Sequence, residues 1–252
     1  MTRALWIEAL ALTALAAGLA AAIVLGEGEW AWSWDALNHH IYLGLIAESP
    51  RWHLDVLAAS AQGYQYPYLY WPAYRISMLP ISGAQAGALL SMLQAALLLP
   101  PVWLASRYLL PQQGSPAQAV FERVIACAIA GSSIVVLAGI GTTSNDPLAT
   151  VPLLWGIALM AAPNPPSDRR AAFAAALWGV SVAFKWSNGL ALPWLFVWWW
   201  HRELRGIGLP RATVMAFASA AGFVVAYVPW GWQLWRETGN PFYPFFGSLF
   251  GS

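Results

Sequence analysis

Three groups of residues combine types and spacings that could do chemistry. Asp35 is followed four positions later by His39, and then by His40. On a helix, positions i and i+4 share a face, so this carboxylate and an imidazole can lie together. A partly desolvated carboxylate there can serve as general base toward a hydroxyl or amine, with the imidazole tuning it or meeting a phosphate. A capping Asp with interfacial histidines fits the same positions, and position alone does not choose between the two. Asp146 ends the run Gly141-Thr-Thr-Ser-Asn145 and precedes Pro147. It reads as the N-cap of a short helix, or as a second carboxylate that makes an acid/base or metal pair with Asp35 in one cavity. Lys185, in SVAFKWSNGL, stands between two apolar runs with Phe184 and Trp186 beside it. It can snorkel to the membrane surface or attract a lipid phosphate. Arg51, Arg75 and Arg236 are further phosphate candidates. Tyr66, in the aromatic stretch 64–75, is a candidate for substrate contact. His53 and Asp55 form only a weak metal signal.

The elements that must position these residues follow from composition. Of 252 residues, 59% are hydrophobic and 9% charged, against about 25% charged in soluble domains. A soluble fold has no polar skin for so much apolar surface, so the solvent is lipid. Seventeen tryptophans suit the membrane interface. The single Cys127 excludes a disulfide framework or a thiol metal cluster, and no basic block points to nucleic acid. Nucleotide hydrolysis, zinc proteolysis and serine hydrolysis have no motif here.

Apolar runs long enough to span lie at 4–25, 82–109, 121–140 and 212–232, with shorter ones at 147–162, 171–185 and 189–201. The spacing predicts seven spans. A straight helix of about 16 residues reaches only about 24 Å, short of a hydrocarbon layer of about 30 Å, so the shorter ones must thin the bilayer or end in a protein-lined cavity. The first run is read as a retained helix rather than a cleaved signal, with Glu8 reaching the headgroups. With the N-terminus inside, eight of the twelve basic residues fall on inner loops: Arg3, Arg107, Arg123, Arg169, Arg170, Arg202, Arg205 and Arg211. Seven of the eleven acidic residues, Glu27, Glu29, Asp35, Glu48, Asp55, Asp146 and Glu237, collect outside.

The segment 26–81 is then a long outer loop. Leu37, Ile41, Leu45 and Ile46 have the spacing of an amphipathic helix over 35–48, capped by Ser33 or Asp35 and lying on the membrane surface. The stretch 64–75, aromatic at nearly every other position with two prolines, reads as extended and interfacial. The closing GNPFYPFF returns the chain to the interface as an aromatic belt.

Together, WDALNHH in a long outer loop, SNDP before a short helix, lysine in FKWSNG and a closing TGNPFYPFF resemble membrane glycosyltransferases of the GT-C superfamily. The likeness is to bacterial members similar to the dolichyl-phosphate-mannose-protein mannosyltransferase-like group. The resemblance implies an all-α polytopic bundle forming one domain over 1–252, in a bacterial inner membrane, with its active site outside. It implies transfer of a sugar, with inversion, from a polyprenyl-phosphate carrier to a lipid, glycan or protein acceptor. Asp35 takes the role of catalytic carboxylate, Asp146 that of a second acidic position, and Lys185 that of the carrier-phosphate contact. His39, His40, Tyr66 and Arg75 complete the expected substrate site. A divalent metal serves some relatives, and nothing in this sequence requires one. Relatives usually continue past the closing segment, so the resemblance implies an N-terminal part or a reduced form. They often carry a tandem acidic pair in the first loop, whereas here Ala36 follows Asp35. The competing reading is a non-catalytic transporter or scaffold subunit. Charges gathered at the boundaries rather than the midplane favour the enzyme.

Overall fold

A computed structural model describes residues 3–28, 33–55, 59–110, 114–163, 166–203 and 209–251. Glu29 and Arg205 lie outside the described residues, and the side chains of Arg3, Glu27 and Arg202 are likewise not described. Every regular element among the described residues is helical. The eleven α-helices are α1 (Arg3–Glu27), α2 (Ile41–Glu48), α3 (Trp71–Ser77), α4 (Gly83–Leu109), α5 (Pro116–Gly131), α6 (Ile134–Gly139), α7 (Asp146–Ala161), α8 (Asp168–Phe184), α9 (Leu192–Glu203), α10 (Leu209–Thr238) and α11 (Gly247–Phe250).

Serines start several of them by satisfying first-turn N–H groups that no preceding carbonyl can reach. Ser82 and Gln85 form a reciprocal capping box on α4. Ser115 caps α5 ahead of Pro116, and Ser167 caps α8. Among the described residues three helices are long and apolar enough to cross a membrane: Trp6–Gly26, Gly83–Leu109 and Arg211–Thr238, with mean hydropathies of 2.3, 1.8 and 1.7. The run expected over 121–140 is not one helix. The chain leaves α5 at Ser132, whose hydroxyl bonds the Ile129 carbonyl, and Ser133 caps α6. Serine hydroxyls offer the backbone a local alternative to continued helix. α7, α8 and α9 hold 16, 17 and 12 residues.

The long helices pack in the order α1, α4, α7, α8, α10, with α5 against α1 and α4. α8 and α10 pack closely, and neither Gly179 nor Gly222 leaves room for a methyl group against the facing backbone at Ser219 and Ala176. Small residues let helices approach where lipid supplies no hydrophobic drive to pack them. At one end of the bundle Glu8 does not reach outward to headgroups. It accepts from Arg123 at 2.5 Å and from the Trp103 indole at 3.1 Å, and Arg107 lies 3.8 Å away. Arg123 is 5% exposed. A buried cation must be paired, so the carboxylate turns inward and ties α1, α4 and α5 together.

Of the two caps expected for the segment after α1, Ser33 takes the role, its hydroxyl accepting from the Ala36 N–H at 3.1 Å; the rest of the segment departs from the expected surface helix. A π-helical turn over Ala36–His40 precedes α2. The extra residue in that turn rotates the helix face, so Leu37 is 73% exposed while Leu43 and Ile46 are fully buried beneath Tyr70, Trp230 and Leu234. The stretch 64–75 is not extended throughout, since Trp71 begins α3 and Pro72 falls in its first turn, where a missing N–H costs nothing. α3 sits so close on α2 that Gly44 has no space for a side chain beside Tyr74 and the Tyr70 carbonyl.

Candidate active site

The site assembles where the π-helical turn meets the 140–146 turn. The π-turn directs both imidazoles inward, His39 at 4% and His40 at 7% exposure. Their rings meet edge to face at 4.4 Å, and His40 stacks on Tyr70 at 4.8 Å. His40 Nδ1 shares a hydrogen bond of 2.8 Å with the Thr143 hydroxyl. Burial holds His40 down at about 4, and burial lowers His39 against the opposing pull of Asp35. Both rings are therefore neutral near neutral pH. Asp35 lies 3.8 Å from His39 Nδ1 with its side chain about half exposed. Beside a neutral imidazole that carboxylate stays accessible rather than closed in an ion pair.

The 140–146 turn is held from behind by Gln94, a buried amide inside α4. Its oxygen accepts from the Gly141 N–H at 2.8 Å and its nitrogen donates to the Thr142 carbonyl at 3.1 Å. Gly141 adopts φ +80, and a side chain there would strike Ser91 and Ile23. That turn delivers Thr143 to His40 and Asp146 to Lys185. Asp146 is the first residue of α7 rather than its cap. Its carboxylate accepts from the Ser144 hydroxyl at 2.7 Å and forms an ion pair with Lys185. Lys185 leaves the end of α8 in an extended conformation, and Asn188 fastens the following turn to Ser181 and Ala149.

Lys185 faces a cavity of about 280 Å³ whose wall also includes Asn145, Tyr64, Tyr66, Ser187 and Phe242. The Tyr66 hydroxyl donates to the Ala226 carbonyl at 3.3 Å, and burial pushes it up to about 12, so it remains a neutral donor. Asp35, Asp146, His39, His40 and Arg75 do not line this cavity. Asp146 touches it through Lys185. Electrostatics nevertheless join the cluster, since His40 feels burial and His39 first and then the charges of Asp35, Lys185 and Asp146 together. Tyr70 is raised by burial and then by both carboxylates.

The structure thus gathers Asp35, His39, His40, Asp146, Lys185 and Tyr66 at one end of the bundle. Arg75 is held apart on α3, paired with Glu48 and 5.8 Å above the Trp71 ring. Arg51 is likewise taken by Asp55 at 2.9 Å. Among the described residues no three His, Cys, Asp or Glu side chains gather as a metal-binding group. Thr143, Tyr70 and Gln94 belong to the site and were not anticipated. Gln94 carried a signal, an amide in the middle of an apolar run, where a polar group must find a partner. No protein-family model, curated protein or solved structure matches this chain.

Proposed function

We propose that the chain is a membrane glycosyltransferase that moves a sugar from a polyprenyl-phosphate carrier to an acceptor on the extracytoplasmic side. In this reading the shorter helices also cross, giving about seven spans, with the N-terminus in the cytoplasm of a bacterial cell. The carrying observation is Lys185, a cation that lines an aromatic cavity while held by Asp146, with His40 feeling the charges of Asp35, Lys185 and Asp146 alike.

The chemistry follows from those positions. A phosphorylated lipid is already a good leaving group, so it needs positive charge more than a general acid. Lys185 supplies that charge and Asp146 aims it. Asp35 accepts the proton of the acceptor hydroxyl as its oxygen bonds to the anomeric carbon. The bond from that carbon to the phosphate oxygen breaks on the opposite face, its electron pair leaves with the polyprenyl phosphate, and configuration inverts. Neutral His39 and His40 keep Asp35 unpaired. Tyr66 and Tyr64 offer ring faces to the sugar. No step is assigned to a divalent metal.

The test is mass spectrometry of lipid-linked sugars and envelope glycans in cells carrying the intact protein, the Asp35→Asn variant or neither. Loss of one glycan in the last two, with its lipid-linked donor accumulating, is the expected result. Identical profiles in all three would leave a non-catalytic membrane subunit.

A further inference from the structure

Two turns carry the charged groups of the site. The π-helical turn over Ala36–His40 follows Asp35 directly. The 140–146 turn ends in Asp146, which is paired with Lys185. Among the described residues, one hydrogen bond crosses from the first turn to the second, that of 2.8 Å between His40 Nδ1 and the Thr143 hydroxyl. Both partners are buried.

The rest of the outer segment is anchored elsewhere. The Trp230 indole donates to the Tyr64 carbonyl, the Tyr66 hydroxyl to the Ala226 carbonyl and the Gln233 amide to the Tyr68 hydroxyl, so the aromatic stretch is tied to α10. Ile41 packs against Ala73 and Ile76 of α3 and Ala86 and Leu90 of α4. Apolar packing is non-directional, so it holds the π-turn near the bundle without fixing its angle. The 140–146 turn is the fixed partner, because Gln94 clamps Gly141 and Thr142 from behind. His40 stands five positions after Asp35, and Thr143 three before Asp146. A shift at their bond therefore passes to the gap between Asp35 and the Lys185–Asp146 pair. Neither His40 nor Thr143 lines the cavity at Lys185.

We propose that the His40–Thr143 bond is a strut that sets the separation of Asp35 from Asp146 and Lys185, and that a proton on His40 releases it. The ring is met by the Thr143 hydroxyl, the face of Tyr70 and the edge of His39. Of its charged neighbours, Lys185 opposes a proton, as His39 does, while Asp35 and Asp146 favour one. Burial outweighs all of these, so a protonated ring gains most by swinging out to water and taking its turn with it. The catalytic role given to Asp35 rests on the glycosyltransferase reading. The strut stands without it.

The experiment is pulsed electron paramagnetic resonance on the full chain in nanodiscs, in a Cys127→Ala background. Spin labels go on Leu37→Cys in the π-turn and Leu190→Cys, both exposed positions. Leu190 belongs to the turn that Asn188 fastens to α7 and α8. One narrow distance is expected near neutral pH, with a second, longer one growing in as pH falls toward about 4. Thr143→Val should show the longer distance at both ends of the range, and Thr143→Ser should restore the narrow one. His40→Asn puts an amide nitrogen where Nδ1 was and takes no proton, so it should stay narrow throughout. It keeps both carboxylates, which separates their titration from that of the ring. In transfer assays Thr143→Val should lower kcat by about tenfold to 10²-fold with the KM for donor unchanged, and Thr143→Ser should recover it. A parent distance that stays narrow at low pH, or a His40→Asn variant that opens as the parent does, would overturn the proposal. So would a narrow distance in Thr143→Val. The parent series needs no change at the strut, so it decides even where Thr143→Val fails to fold. Distances that behave as expected in a protein that transfers no sugar would remove the enzymatic reading and leave the strut in place.

Discussion

Asp35 and His40 are separated by one turn of helix, yet burial assigns them opposite tasks. Asp35 keeps a half-exposed carboxylate beside a neutral ring, while His40 is enclosed by Tyr70, Thr143 and His39. If Asp35 is the base, Asp35→Asn should lower sugar transfer by about 10²- to 10⁴-fold while expression stays unchanged, measured with purified protein and a lipid-linked donor. His40 predicts a pH dependence of stability. Its ordinary value is 6.5 and its folded value is lowered to about 4 by burial, then by His39. A depressed value means that the folded state resists protonation. The associated stability is therefore fully present above 6.5 and drains away as pH falls toward about 4. The loss is on the order of 3 kcal/mol. Thermal unfolding in detergent across this range should show it, and His40→Gln should flatten the profile. A parent Tm that is constant through the range would contradict the buried neutral ring.

At the scale of elements, the site depends on two irregular turns pressed against helices. The π-turn sets which residues face inward, and Gly44 lets α3 close over α2 and bring Tyr70 onto His40. Gly44→Ala should cost about 1–3 kcal/mol by overpacking and reduce transfer even though residue 44 touches no part of the cavity. Unchanged stability would show that α3 is free to move away. The long helices were legible in the sequence, because apolar runs mark them, whereas the break at Ser132 and the helix at Trp71–Ser77 were not. The rotation of the face over 36–46 was not, since spacing assumes 3.6 residues per turn and a π-turn breaks that period. Arg75 illustrates the same limit. Its charge suggested phosphate, but Glu48, distant by 27 positions, claims it.

Over the whole molecule, contacts between helix ends sort the chain into two poles. Glu8, Arg107 and Arg123 meet at one, and Arg211 pairs with Asp168 at 3.0 Å where α8 and α10 begin. At the other, Thr143 meets His40, Asp146 meets Lys185, and Trp186 packs on Phe242 and Phe245. If the first pole faces the cytoplasm, as proposed, the excess of basic residues lies on that side. In a Cys127→Ala background, Ser187→Cys and Glu237→Cys should react with an impermeant thiol reagent from outside. Ala117→Cys and Arg169→Cys should react only after the membrane is opened. Labelling of Ser187→Cys and Ala117→Cys from the same side would refute the seven-span arrangement.

The sequence by itself determined the solvent and the helical class. Both depend on composition and on local periodicity, which act over a few residues at a time. It also marked Asp35, Asp146 and Lys185 by their positions beside breaks in apolar runs. Tertiary structure alone decided that Lys185 would be claimed by Asp146, that two histidines would be buried neutral, and that Arg75 would be held apart. Those outcomes turn on distances between groups remote in the chain, and a charge or a ring acts through space on whatever packing brings within a few ångströms of it.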